Sequence, residues 1–162
     1  MDSFEIAHVD AFTTGTVGPK GQRVFYLQAT AGSSTVSLKL EKQQVLAMAD
    51  HLAQLLEDLP EISAHEWTSA PELVEPIEPM WIVGAMGAMY DASSDNVVIM
   101  AEEASEDPDV DDAAVATFRL GRGQTLAFIE RAHEVLEAGR PPCPWCSRPL
   151  NHGEDGFCPC WN

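Results

Sequence analysis

The sequence predicts an α+β fold: a tandem βββα duplication with largely antiparallel sheets packed on two helices, plus a C-terminal zinc knuckle. Three observations predict it. Residues 36–58 recur at 116–138 with a constant shift of 80 and no gap. Within each copy an alternating stretch passes directly into one of helical period. All four cysteines fall in the last twenty residues of the chain.

In the first half, residues 11–17 and 23–29 read as strands joined by the turn Gly18, Pro19, Lys20 and Gly21. A third strand follows at 36–40, where Val36, Leu38 and Leu40 alternate with Ser37 and Lys39. Positions 45, 48, 49, 52, 55 and 56 then place apolar residues on one helical face. In the second half, strands are expected at 81–90, 96–102 and 116–120. The helix after them repeats the apolar face at 128, 129, 132, 135 and 136, with Thr125 as the exception. Leu40, Gln44, Leu46, Ala47, Leu56 and Glu57 return identically, and Lys39 and Lys42 align with Arg119 and Arg122. Gly139 suits a left-handed cap, and Pro141 and Pro142 stop the second helix. Gly121 and Gly123 read as easing the bend from strand to helix.

These signals divide the chain into a first repeat (1–60), a Pro-rich crossover (61–79), a second repeat (80–140) and a tail (141–162). The repeats are expected to share one compact domain. Pro71, Pro76 and Pro79 exclude a helix from the crossover, which is expected to run extended along the surface. Residues 102–112 carry seven acids and no base and read as a solvated loop.

At 162 residues and 45% hydrophobic composition, the chain is large and apolar enough for a proper core. No apolar run approaches the roughly 20 residues of a membrane helix, and the N-terminus lacks a secretory pattern. A cytoplasmic location is therefore expected. The formal charge is −17, from 26 acidic and 9 basic residues. Such a field repels phosphate backbones and anionic lipid surfaces, which argues against nucleic-acid and membrane partners.

Cys143 and Cys146 are spaced as a Cys-x-x-Cys turn, and eleven residues later come Cys158 and Cys160. A turn of this kind brings two thiolates to within about 2.3 Å of one ion, half of a tetrahedral shell. In a reducing compartment the clustering points to structural Zn2+. The Cys-x-Cys bite is tight, so either Cys160 or His152 is the fourth ligand. Four protein ligands leave no position for substrate water. Trp145 and Trp161 would pack around the site or anchor a partner.

A second candidate is a small-anion site formed by Lys39, Lys42 and Gln44 with Arg119, Arg122 and Gln124. A helix N-terminus carries partial positive charge, so Lys42 and Arg122 sit where cations are disfavoured unless an anion joins them. The plain alternative is solvated charge or local ion pairing. Gly84 and Gly87 lack the spacing of a phosphate loop. Asp107, Asp109 and Asp111 mimic a calcium loop, but Asp112 and Phe118 stand where that loop needs glycine and glutamate. No standard nucleophile, zincin or P-loop motif is present, and His8, His51, His65 and His133 are isolated.

GQR-x-F-x-LQ at 21–28, LEKQQ at 40–44 and AGRPPCPxC at 138–146 together resemble the actinobacterial "domain of unknown function 3090" family, from about residue 12 onward. The resemblance implies no established activity and no catalytic residues. The family's tail reads CPxCG-x-PL, then a histidine shortly before a final Cys-Pro. Cys143, Cys146, Pro149, Leu150, Cys158 and Pro159 match that pattern. Ser147 replaces its glycine, Gly156 stands where the histidine is expected, and Cys160 is additional.

The expectation is a zinc-binding, non-enzymatic binding or adaptor protein with a protein partner. The alternative is a small-anion or nucleotide-binding protein, with or without catalysis, whose site lies between the repeats.

Overall fold

Alternation produces the first three paired strands. In the computed structural model, which describes residues 3–19, 21–62, 66–106 and 113–138, they are β2 (Ala11–Val17), β3 (Val24–Ala31) and β4 (Ser34–Leu40). They form an antiparallel meander whose register sets Phe12 opposite Ala29, and Leu27 opposite both Thr14 and Leu38. One face is therefore apolar. The tight β3–β4 turn requires the left-handed conformation of Gly32 (φ 61°), whose N–H donates to the Asp10 carboxylate at 2.6 Å.

A helix, α1 (Lys42–Glu57), continues from β4. Gln44 closes a capping box at its start by accepting the Glu41 N–H at 2.8 Å. The chain then reaches β5 (Pro79–Asp91), β6 (Asn96–Glu103), β7 (Val115–Leu120) and α2 (Arg122–Ala138). A short β1 (Phe4–Ile6), absent from the sequence expectation, precedes them all.

These strands do not build tandem βββα units with separate sheets, and that expectation is corrected. All seven belong to one mixed sheet in the order β1-β7-β6-β5-β4-β3-β2. The β4–β5 and β1–β7 pairs are parallel, and the other four are antiparallel. The physical reason lies at the edges. A separate three-stranded sheet would leave the outer edges of β4 and β7 unpaired, whereas β5 and β1 cover them here. The predicted zinc knuckle lies outside the described residues.

The sheet also rolls. Its outermost strands, β1 and β2, are joined by only four residues, 7–10. Val9 N–H donates to the Arg119 carbonyl of β7 at 3.4 Å, and Asp10 N–H donates to the Thr30 carbonyl of β3 at 2.8 Å. The core closes across this gap: Phe12 stacks on Phe118 at 5.3 Å and on Phe128 at 4.9 Å between ring centroids. Leu27, Leu38, Ile99 and Leu120 from the strands join Val45, Leu52 and Ala132 from the helices, all essentially without exposure. The two helices pack on each other, α1 also on β5 and α2 also on β2. No helix among the described residues is long and apolar enough to cross a membrane.

Of the segment between α1 and β5, residue 66 lies against α2, and residues 71–74 cross the face of the sheet opposite the helices. Glu66 passes over the first turn of α2, where any Cβ at Gly123 would collide with its carbonyl oxygen. Gly123 thus serves close approach, not a bend, and its φ is not positive. Further on, Pro71 accepts from the Thr13 hydroxyl at 2.6 Å, and Leu73 fills the space above Gly15. Val74 then exchanges two bonds with the Gln28 amide, which donates to its carbonyl at 3.1 Å and accepts its N–H at 2.7 Å. Gln28 also donates to Ser37 Oγ at 3.1 Å. This strap explains why Thr13, Gln28 and Ser37 are buried on a face that alternation assigns to solvent.

Candidate functional site

The sequence singled out the two strand-to-helix junctions. At the first, Lys39 lies opposite Tyr26 and Ile82, and Lys42 is the opening residue of α1. The Gln44 side chain ties its helix to the neighbouring strand. Its amide nitrogen donates to the carbonyls of Val83 and Gly84, both at 3.1 Å. At the second junction Gln124 accepts the Gly121 N–H at 2.9 Å and donates to the carbonyls of Val9 and Asp10. Both glutamines therefore act as main-chain clamps.

Arg119 pairs with Glu5 at 2.9 Å and Asp91 at 3.3 Å. Those carboxylate hydrogen bonds, Glu5 first, raise its pKa further. Arg122 pairs with Asp95 at 3.0 Å and donates to the Pro60 carbonyl. Asp91 is held at about 2, well below the ordinary carboxylate value, chiefly by hydrogen bonds from Ser93 and Ser94, with Arg119 contributing. The Tyr90 hydroxyl donates to Asp95, which lowers the acid and raises the phenol. Carboxylates already neutralise both arginines, so this junction is an ion-pair network locking the β5–β6 turn to β7 and α2. The two junctions have different surroundings: the first rests on β5, the second on β1, the β1–β2 link and the β5–β6 turn.

A different place has the shape of a ligand site. The β4–β5 register ends at Lys39 and Ile82, but β5 runs on to Asp91. Beyond that point α1, not a strand, lies beside β5. The Gln44 amide and the His51 ring reach across, His51 Nε2 donating to the Ala88 carbonyl at 3.0 Å. Between these two tethers opens a cleft of about 360 Å³ lined by Ala47, Met48, Gly84, Met86 and Gly87. The volume falls within the usual range for ligand pockets.

The backbone adds polarity to this cleft. The Ala88 carbonyl faces α1, away from β6. In an antiparallel ladder the outward-facing residues alternate, so Met86 turns both its N–H and C=O the same way. Gly84 belongs to a register shift in β5, and a Cβ there would strike the Ala104 backbone at 2.8 Å. Among the described residues, the floor of the cleft is thus a short open strand edge between apolar walls. Apart from Gln44, these residues form no motif in the sequence: His51 is isolated, and Gly84 and Gly87 lack the spacing of a phosphate loop. The available signal was a pair of glycines within a strand, which often marks close backbone approach.

Among the described residues, no group of three or more His, Cys, Asp or Glu side chains could hold a metal ion. Cys143, Cys146, Cys158, Cys160 and His152 lie outside the described residues. The profile of a family described as "Protein of unknown function (DUF3090)" matches residues 4–158. Among curated proteins and among solved structures, nothing matches.

Proposed function

The chain belongs to the DUF3090 family of proteins of unknown function, and on that premise we propose that it is a cytoplasmic, non-enzymatic binding protein. It takes a protein partner through the cleft between α1 and β5, as an adaptor. The observation that carries this reading is the cleft itself: about 360 Å³, walled by Met48, Met86 and Ala47, with Gln44 and His51 at its two ends. Methionine walls accommodate varied apolar groups. The cleft residues include no nucleophile paired with a base, which favours binding over catalysis.

Ala47 is exposed, so Ala47→Trp should fill the cleft without entering the core. Capture from a lysate of the source cells should retain a partner on the wild-type chain and lose it on this variant, with the two melting temperatures alike. A partner retained equally by both would refute the reading. The alternative, an anion or nucleotide held by Lys39, Lys42, Gln44, Arg119, Arg122 and Gln124, has weaker support, because both arginines are already ion-paired.

We also propose that Cys143, Cys146 and Cys158, with Cys160 or His152, hold a structural Zn2+. The support is the ligand spacing and the absence of cysteine elsewhere. Chelation should lower the melting temperature, and Cys143→Ser should do the same, because metal binding and folding are linked. A melt indifferent to both, with no stoichiometric zinc by elemental analysis, would remove the site.

A further inference from the structure

We infer that the cleft between α1 and β5 binds its partner by strand addition, taking a short, extended, cationic segment of another protein onto the open edge at Met86. The inference rests on the cleft reading above and names the chemistry of its occupant. Three observations lead to it.

The first is the unpaired edge. Among the described residues, β5 from Val83 onward is bonded to β6 on one side only, and on the other its carbonyls at 83, 84 and 88 are met by side chains from α1. Met86 lies midway, with its N–H and C=O directed into the cleft by the alternation of the ladder. An extended backbone supplies one acceptor and one donor at the matching spacing.

The second is length. Gln44 and His51 are seven residues apart on α1, which is about 10.5 Å along the helix axis. An extended chain rises about 3.3 Å per residue, so roughly three residues fit between the tethers. Met48 and Met86 offer an apolar contact to the side chain that points inward.

The third is charge. The chain carries 26 acidic and 9 basic residues, and Arg119, Arg122 and Arg131 are each ion-paired to acids. Asp50 stands exposed beside His51, and Glu102 lies opposite Ala85 across the β5–β6 ladder. The field of the chain as a whole is therefore negative, with Lys39 and Lys42 lying toward the Gln44 end of the cleft. It disfavours a second copy of this chain, also at −17, and favours a partner carrying lysine or arginine on either side of its apolar residues.

The test uses the full chain, labelled with nitrogen-15. The probes are capped pentapeptides with lysine at both ends and valine, isoleucine or leucine between. At least one should shift the amide resonances of Met86 and Gly87 and slow hydrogen exchange at Met86. N-methylation of alternate peptide amides should weaken binding at least tenfold in one phase and leave it intact in the other, since only one phase faces β5. Replacing the flanking lysines with glutamates, or Ala47 with Trp, should each weaken binding at least tenfold. Binding that Ala47→Trp blocks but neither phase of methylation disturbs would overturn strand addition and leave the cleft as a site. Binding indifferent to Ala47→Trp would overturn both readings. No binding by any probe at millimolar concentration would also overturn the inference, as would a Met86 shift that grows with protein concentration in the absence of peptide, which would assign the edge to a second copy.

Discussion

Gln28→Ala isolates the contribution of the strap that crosses the sheet. The Gln28 side chain is 2% exposed and makes three bonds: two with Val74 and one with Ser37. A neutral hydrogen bond contributes about 0.5–1.5 kcal/mol net, so three give roughly 2–4 kcal/mol. The Val74 side lies at the lower end, because that residue is about half exposed and water can replace part of what is lost. For a chain of this size about 1 kcal/mol moves the melting temperature by 2–4 °C, so the variant should melt roughly 4–16 °C below wild type. Gln28→Glu separates the two Val74 bonds. It keeps an acceptor for the Val74 N–H but sets a carboxylate against its carbonyl, so it should also destabilise. Differential scanning calorimetry gives the melt, and amide hydrogen exchange reads Val74 directly. A shift under about 2 °C with unchanged exchange at Val74 would show that the strap is held by something other than this amide.

Gly123→Ala should force Glu66 off the first turn of α2, because the new Cβ meets a backbone carbonyl that no rotamer can move. Overpacking of this kind costs about 1–3 kcal/mol, readable as a lower urea midpoint; an unchanged midpoint would count against the contact. The depressed Asp91 carboxyl makes part of the stability pH-dependent. Its folded pKa lies below the unfolded value of 3.8, so its contribution is fully present above that value and is lost as pH falls through about 2. Melting curves between pH 5 and pH 2 should therefore fall less steeply for Asp91→Asn than for wild type, and parallel curves would contradict the assignment.

The local parts of this fold were legible and the assembly was not. Period two placed β2, β3, β4, β6 and β7 within a few residues, and period 3.6 placed both helices, because burial on one face imposes those periods on the sequence itself. Pairing across the sheet carries no such imprint. Nothing in residues 36–40 or 79–91 announces that β4 and β5 run side by side in parallel, and Phe4–Ile6 is too short to show alternation. Ser37 is the instructive case. Its polarity and phase assign it to solvent, yet it is 4% exposed, because residues over thirty positions later lie near it. The candidate site was hidden for a related reason. A cleft made by the end of one strand and the continuation of its neighbour depends on strand lengths and order, while its residues, Ala47, Met48, Met86 and His51, are unremarkable in sequence. Gln44 and Gln124 stand out in the sequence, but the cations beside them point to a ligand, where the structure uses the amides to hold main chain.

The pairing of Phe4 with Ala116 sets the order of events during synthesis. A ribosome releases the first strand long before its neighbour exists, and the meander that follows has one long border waiting for residues 79 onward. Until β7 emerges, the phenylalanines that meet at the seam have no counterpart, and the nascent chain carries sticky apolar surface. Such a protein should fold late and slowly for its size, and it should gain more from chaperone capture than a helical bundle of equal length. An N-terminal fusion would sit at the last seam to close, so a bulky tag there should slow refolding while leaving the final melt nearly unchanged.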